Sequence, residues 1–451
     1  MVHRLVLACL LCLAPASLLA QEPGTVEALQ ALLAKRLAAE ERPTCALAGF
    51  AGEKTVIAKA CTEGASAPTL VPESFVEIGS VSKAVTGLVL ADMVGKGEIR
   101  LEEPASALAP PGAKLPAKGA REIRIRDLAS QSSGLPRMPP GFQSPDQANP
   151  YAHFDVAALY EALAGTQPAR EPGAGYEYSN FGFMWLSELL GRRARSDFEA
   201  LAKERVFAPL GMAQAAVRLP PEAMKRLAQG HDPDRRPVRP WDVPVPLAGV
   251  GGIRATTLDM MKLAEALAGR RPSALDEAIG RSREALFVSG RTTVAYAWAV
   301  IPRPAGDLYW HNGGTAGFHT MLAWSPTARR AAWVVADSPA NLDDFALHLV
   351  DPALPAKQRR VAIALERKVL EEYVGRYELR PGFEIAFTRE GGRLFSQATG
   401  QPRFEVFAEA TDRFFLRAFE AQLHFRRSAS GEVEGLTLLQ GGREMPAKRL
   451  P

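Results

Sequence analysis

The sequence predicts an α/β domain in which strands from both ends meet in one antiparallel sheet around a helical middle. A small all-β barrel or sandwich follows it. Three observations lead there. Helical periodicity dominates 154–268, strand-like runs bracket it at 45–61 and 294–336, and short β-prone segments at even spacing fill the chain after residue 373. With 451 residues, 47% hydrophobic and 23% charged, the chain has ordinary globular composition and room for about two or three domains.

Taken in order, His3 and Arg4 precede an apolar run from Leu5 to Leu13, and small residues continue to Ala20. This predicts a secretory signal peptide over 1–20, too short for a membrane span, and hence a periplasmic or secreted protein. No other long apolar segment exists, so no span is expected in the mature chain. The main domain, 21–355, opens with an amphipathic helical pattern over 24–40. Two apolar runs around Gly52-Glu53-Lys54 then read as a hairpin. A register centred on Glu53 sets Cys45 opposite Cys61, which an oxidising compartment would allow to pair; two buried free thiols are the alternative.

From Ser80 to Val94, apolar Val81, Ala84, Val85, Leu88 and Val89 recur at helical spacing, and Gly95 and Gly97 stop the pattern. A Pro-rich linker covers 104–116. Helices are expected at 154–164, 181–192, 196–206 and 257–268, with a loop at 232–246 that carries Pro233, Pro237, Pro240, Pro244 and Pro246. Strands are expected at 294–301, 308–312, 317–324 and 330–336. A charged stretch, 356–372, reads as a helical connector. The last domain, 373–451, shows strands at 374–379, 383–388, 393–398, 403–407, 413–417, 421–427 and 433–440.

Several functions are disfavoured. A net charge of +4, with Arg359-Arg360 and Arg426-Arg427 as isolated pairs, makes no electrostatic case for nucleic acid. The seven histidines form no ligand pair, the mature chain has no Cys-x-x-Cys, and no Gly-rich nucleotide loop follows a strand. No metal or cofactor is expected.

Three local patterns can carry chemistry. Ser80 and Lys83 share one face at a helix start, where backbone N–H groups and the helix dipole favour an oxyanion. An amine beside a hydroxyl eases its deprotonation or accepts its proton. Taken alone, Ser80 is equally an ordinary helix cap. Tyr178 and Asn180 sit in PGAGYEYSNFGF, 172–183, a Gly-rich loop entering a helix. A phenol has a reference pKa of about 10, so a base role there needs nearby cations, which Lys83 could supply. Finally, His311-Asn312-Gly313-Gly314 falls at a strand end, where the glycines permit close backbone approach.

In this order and spacing, Ser-x-x-Lys, Tyr-x-Asn and His-x-Gly resemble the serine β-lactamase and penicillin-binding-protein superfamily. The branch most similar is that of class C β-lactamases, esterases and D-amino-acid peptidases. LASQSSGLP (128–136), PLGM (209–212) and GVGGIRAT (249–256) also match. The resemblance spans about 25–350, and the tail is similar to the lipocalin-like domain of some of these hydrolases. It implies a β-lactamase/transpeptidase-like fold and an acyl-enzyme on Ser80, formed from an amide or ester: a D-amino-acid peptide, a small ester or a β-lactam. Lys83 would activate Ser80, Tyr178 would shuttle protons, and Asn180 would hold Lys83 and a substrate amide. The N–H groups of Ser80 and Gly314 would bind the oxyanion, with Gly313 allowing the approach. The family's third motif is usually Lys-Thr-Gly. Here His311 replaces that cation with a group mostly neutral at pH 7, which suits esterases and peptidases better than efficient β-lactamases. A sensor that acylates with little turnover is the rival reading.

Overall fold

The computed structural model describes residues 22–451 apart from 41, 120, 359, 417–420 and 441–442, so the expected signal peptide lies outside the described residues. The chain separates into two compact units, divided between Lys357 and Gln358.

In the first unit, β1 (Cys45–Ala51) is buried at every position and β2 (Thr55–Cys61) alternates, as a central strand and its edge neighbour should. Ala51 pairs with Thr55 and Cys45 with Cys61, the register centred on Glu53, and a disulfide joins the two cysteines. Alternate β1 side chains enter two cores: Cys45 and Leu47 face one, Ala46, Ala48 and Phe50 the other. The sheet runs β2-β1-β10-β9-β8-β7-β6-β5, using β5 (Phe287–Ser289), β6 (Thr292–Val294), β7 (Ala299–Ile301), β8 (Leu308–Gly314), β9 (His319–Ser325) and β10 (Arg330–Ala336). N- and C-terminal strands thus meet at β1 and β10, which pair antiparallel. A separate pair, β3 (Phe75–Glu77) and β4 (Arg254–Thr256), was not expected.

One predicted strand, 294–301, is two. The chain turns at Ala295–Trp298, with Ala297 at φ 67°. All four turn residues are buried, so their apolar character reports core rather than strand. The helix Ser82–Gly95 is buried from Ser82 through Met93, consistent with a pattern apolar nearly all round. A Cβ on its Gly87 would lie 2.2 Å from the Tyr296 carbonyl, so only glycine lets this helix meet that turn.

In the second unit, β11 (Gly375–Arg380), β12 (Phe383–Glu390), β13 (Arg393–Ala398), β14 (Arg403–Ala410), β15 (Arg413–Leu416), β16 (Gln422–Arg427), β17 (Val433–Gln440) and β18 (Arg443–Arg449) form a closed barrel. Strand β18 lies beyond the expected strands, and its Pro446 is a residue that disfavours a strand interior. It pairs with both β17 and β11, which closes the barrel. The connector is helical only at Arg367–Glu372. Val361 and Ile363 are exposed, and Ile363 N–H donates to the Ala408 carbonyl at 2.8 Å, so a strand-like bond takes the place of a helix with no packed face.

The disulfide closes a separation of 16 residues. Replacing both cysteines by alanine should cost about 3 kcal/mol, read as a lower urea midpoint with little change in slope. An unchanged midpoint would show that the hairpin is already closed by its own pairing.

Candidate active site

Ser80 reaches its position from two directions. Strand β3 pairs with β4 and leads into a 3₁₀ turn, Gly79–Val81, with Gly79 at φ 52°. The helix Ser82–Gly95 begins at once, and no side chain caps it. Ser80 is therefore not a cap. Its Oγ lies 2.9 Å from Lys83 Nζ, which also donates to the Val250 carbonyl at 2.5 Å. Lys83 is 0% exposed and pairs with no carboxylate among the described residues. Burial, aided by the Arg137 charge, holds its amine well below the ordinary lysine range.

Burial pushes the Tyr178 phenol up to about 12, against the opposing effects of the Ser80 hydroxyl and the Arg137 charge. Burial thus acts on both groups, drawing the Lys83 amine below its ordinary range and favouring the protonated phenol of Tyr178. Ser179, rather than Asn180, caps the helix Asn180–Ala194, its Oγ accepting from Gly182 N–H at 2.8 Å. No hydrogen bond joins Asn180 to Lys83. Its amide nitrogen donates to Met138 Sδ and Tyr151 Oη, both at 3.4 Å, and its Oδ1 is buried without a partner.

The C-terminal end of β8 packs against the Ser80 turn. A Cβ on Gly313 would come within 2.8 Å of the Ser80 nitrogen, and one on Gly79 within 2.9 Å of the Gly314 nitrogen. Glycines thus bring the Ser80 and Gly314 backbone N–H groups together, as an oxyanion site requires. His311 does not line the cavity. It is 5% exposed, its Nδ1 bonds the Asn312 carbonyl at 2.7 Å, and its ring centre stands 6.2 Å from that of Tyr178. Burial, then the Lys83 charge, lowers its pKa to about 3, so it is a neutral imidazole.

A cavity of ≈ 320 Å³ opens over Ser80, bounded by Tyr178, Asn180, Asn312 and Gly314 and by three residues the sequence did not flag, Arg137, Tyr151 and Trp241. Tyr151 and Trp241 form an aromatic wall, their centroids 5.5 Å apart. The Arg137 guanidinium lies 5.0 Å from the Tyr178 ring centre, and no Asp or Glu lines the cavity. The Arg137 carbonyl accepts from Asn180 and Phe181 N–H, which fixes its backbone to the helix start.

Glu77 is a further residue the sequence reading missed. It is 4% exposed and accepts from Trp241 N–H at 2.6 Å and Thr315 Oγ1 at 3.1 Å. Arg254, opposite Glu77 in the β3–β4 pair, donates to the Trp241 carbonyl at 2.6 Å and to Asp242 at 2.9 Å. The pair clamps Trp241 from both sides and ties the Pro-rich loop to the turn after Gly314. Only a carboxylate inside the apolar FVEIGS signalled it.

A sequence profile of the β-lactamase family matches residues 29–352, and one of a domain of unknown function, DUF3471, matches 359–448. Penicillin-binding protein 4* of Bacillus subtilis (strain 168) is 26% identical over 417 residues, covering 84% of this chain and 88% of that protein. The D-alanyl-D-alanine-carboxypeptidase/endopeptidase AmpH of Escherichia coli (strain K12) is 25% identical over 285 residues, 58% of this chain and 71% of that one. Among solved structures, D-alanine carboxypeptidase AmpC from Burkholderia cenocepacia superposes with a TM-score of 0.58 at 22% identity, covering 71% of this chain and 96% of its own. A class C β-lactamase from Rhodobacter sphaeroides gives 0.57 at 20%, covering 69% and 94%. These two show the fold.

Burial raises Glu77 to about 7. Between its ordinary pKa of 4.5 and 7, the folded chain keeps a proton that the unfolded chain has lost, so its contribution to stability falls as pH rises. Relative to Glu77→Gln, wild type should lose up to about 3 kcal/mol across that window and level off above it, in urea unfolding at stepped pH. Parallel profiles for the two proteins would contradict this.

Proposed function

The chain belongs to the β-lactamase family, and from that premise we propose that it is a serine hydrolase that forms an acyl-enzyme through Ser80 on an amide or ester. The carrying observation is the Ser80 hydroxyl at 2.9 Å from a fully buried amine without a counter-ion. An amine held near neutrality takes the Ser80 proton as Oγ attacks the carbonyl carbon. The oxyanion that develops meets the Ser80 and Gly314 N–H groups. The protonated Tyr178 phenol gives its proton to the departing nitrogen or oxygen, and the Lys83 ammonium returns one to Tyr178. Water then repeats the sequence in reverse on the acyl-enzyme, which restores all three groups.

Substrate choice follows from the cavity wall. His311 is neutral and set back, so Arg137 is the cation that faces an incoming carboxylate, while Tyr151 and Trp241 offer an aromatic surface. Together with the carboxypeptidase and β-lactamase names of its relatives, this supports a D-amino-acid peptide as substrate, ahead of a small ester or a β-lactam. The Cys45–Cys61 bridge and the expected leader over 1–20 support export to the periplasm or beyond.

Ser80→Ala should abolish both turnover and fluorophosphonate labelling; labelling that persists would sink the assignment. A burst with p-nitrophenyl esters and no steady state would instead favour a penicillin-binding role, as the name of the Bacillus relative suggests. Lys83→Met should lower kcat by about 10²–10⁴-fold. In wild type, the acid limb of the kcat/KM profile should fall well below the ordinary lysine value of 10.5. Arg137→Ala should raise KM for D-alanyl peptides ending in a free carboxylate and leave their C-terminal amides unaffected. Equal effects on acid and amide would remove Arg137 from substrate recognition.

A further inference from the structure

The interior of the C-terminal barrel is filled at one end only. Tyr377, Phe387, Phe414 and Phe425 point inward and, with Tyr373, form an aromatic plug whose neighbouring ring centres lie 4.6–5.5 Å apart. Its polar atoms are answered within the protein. The Tyr373 hydroxyl donates to Asp412 at 2.9 Å and the Tyr377 hydroxyl to the Tyr373 carbonyl at 3.0 Å. Two residues along the same four strands, Leu379, Ile385, Leu416 and Leu423 face inward in turn. Among the described residues, these side chains line a cavity of ≈ 240 Å³.

We propose that this cavity binds the aliphatic chain of an acidic amphiphile, either a free medium-chain acid or the acyl chain of an anionic lipid. Eight-stranded barrels are just wide enough to be filled by side chains or to hold one small ligand, and this one is filled over only half its length. The open half exceeds the roughly 150 Å³ apolar cavity that accepts benzene. Leucine, isoleucine, alanine and methionine side chains make up most of its wall, with Phe383 and Phe404 among them, and such a surface suits a flexible chain. Ser396 supplies an independent sign. It reaches the cavity from β13 with 6% exposure, and its hydroxyl bonds no protein group among the described residues. The residue is buried as a whole while its hydroxyl opens onto the cavity, where it can donate to a ligand oxygen. Arg380 follows the lining residue Leu379, stands 5.4 Å from the ring centre of Phe383, which also lines the cavity, and pairs with no carboxylate among the described residues, so a nearby acidic head is favoured. Nothing in this argument depends on the chemistry at Ser80.

The test is calorimetric titration of the full chain with hexanoate, octanoate and decanoate, and separately with dilauroyl phosphatidylglycerol vesicles. Affinity for the free acids should rise about fourfold per methylene. Leu438→Trp, which fills the cavity, should weaken decanoate binding at least tenfold with an unchanged far-ultraviolet spectrum, and Ala398→Leu should do the same if the first variant does not fold. Fluorophosphonate-blocked Ser80 should leave binding intact. Saturable binding in either arm that the filling variants remove supports the proposal, and the arm that responds names the source. Absence of binding in both arms, or binding indifferent to a folded filling variant, or binding lost when Ser80 is blocked, overturns it.

Discussion

The site is organised by one constraint: a lysine amine placed where neither water nor a carboxylate can reach it. Lys83 is held by the Val250 carbonyl on one side and Ser80 Oγ on the other. A charge so placed would be costly, and Arg137 raises the cost. The protein meets it by favouring the neutral amine, which is the form that can remove a proton from serine. The reactivity and the burial are therefore the same fact. The phenol of Tyr178 obeys the same rule, because burial raises it to about 12 and so keeps its proton.

Keeping that amine dry demands close backbone approaches. The helix Ser82–Gly95 is enclosed on all sides, and Gly87 lets it touch the turn at Tyr296. Gly79 and Gly313 let the β8 end settle closely on the Ser80 turn, beside the Ser80 and Gly314 nitrogens. The open side of the site is set by two further buried polar side chains. Glu77 and Arg254 hold the backbone of Trp241 and so fix a proline-rich wall that has no strand or helix to define it. One buried lysine is left without a carboxylate and stays reactive, while a buried glutamate and arginine hold a loop in place.

In the second unit the same packing rules leave a different result. Alternation along eight strands gathers packed aromatic rings in one part of the barrel and a mostly aliphatic cavity wall, with Phe383 and Phe404, in another. Rings that pack edge to face fill space efficiently, and the cavity retains volume.

The sequence by itself determined the periodic elements and the local chemistry. The hairpin register that joins Cys45 to Cys61, the helix after Ser80 and the Ser80–Lys83 spacing are all short-range patterns, and short-range patterns follow from backbone geometry. It could not determine what the long-range contacts do to each group. Asn180, expected beside Lys83, is turned to Met138 and Tyr151; His311, expected to meet substrate, is buried as a neutral ring; burial favours the protonated phenol of Tyr178, which is expected to shuttle protons. Arg137, Trp241 and Glu77 carried almost no local signal, and β18 carried a contrary one in Pro446. Protonation state depends on desolvation and on neighbours distant in sequence, and both come into being only when the chain has closed around them.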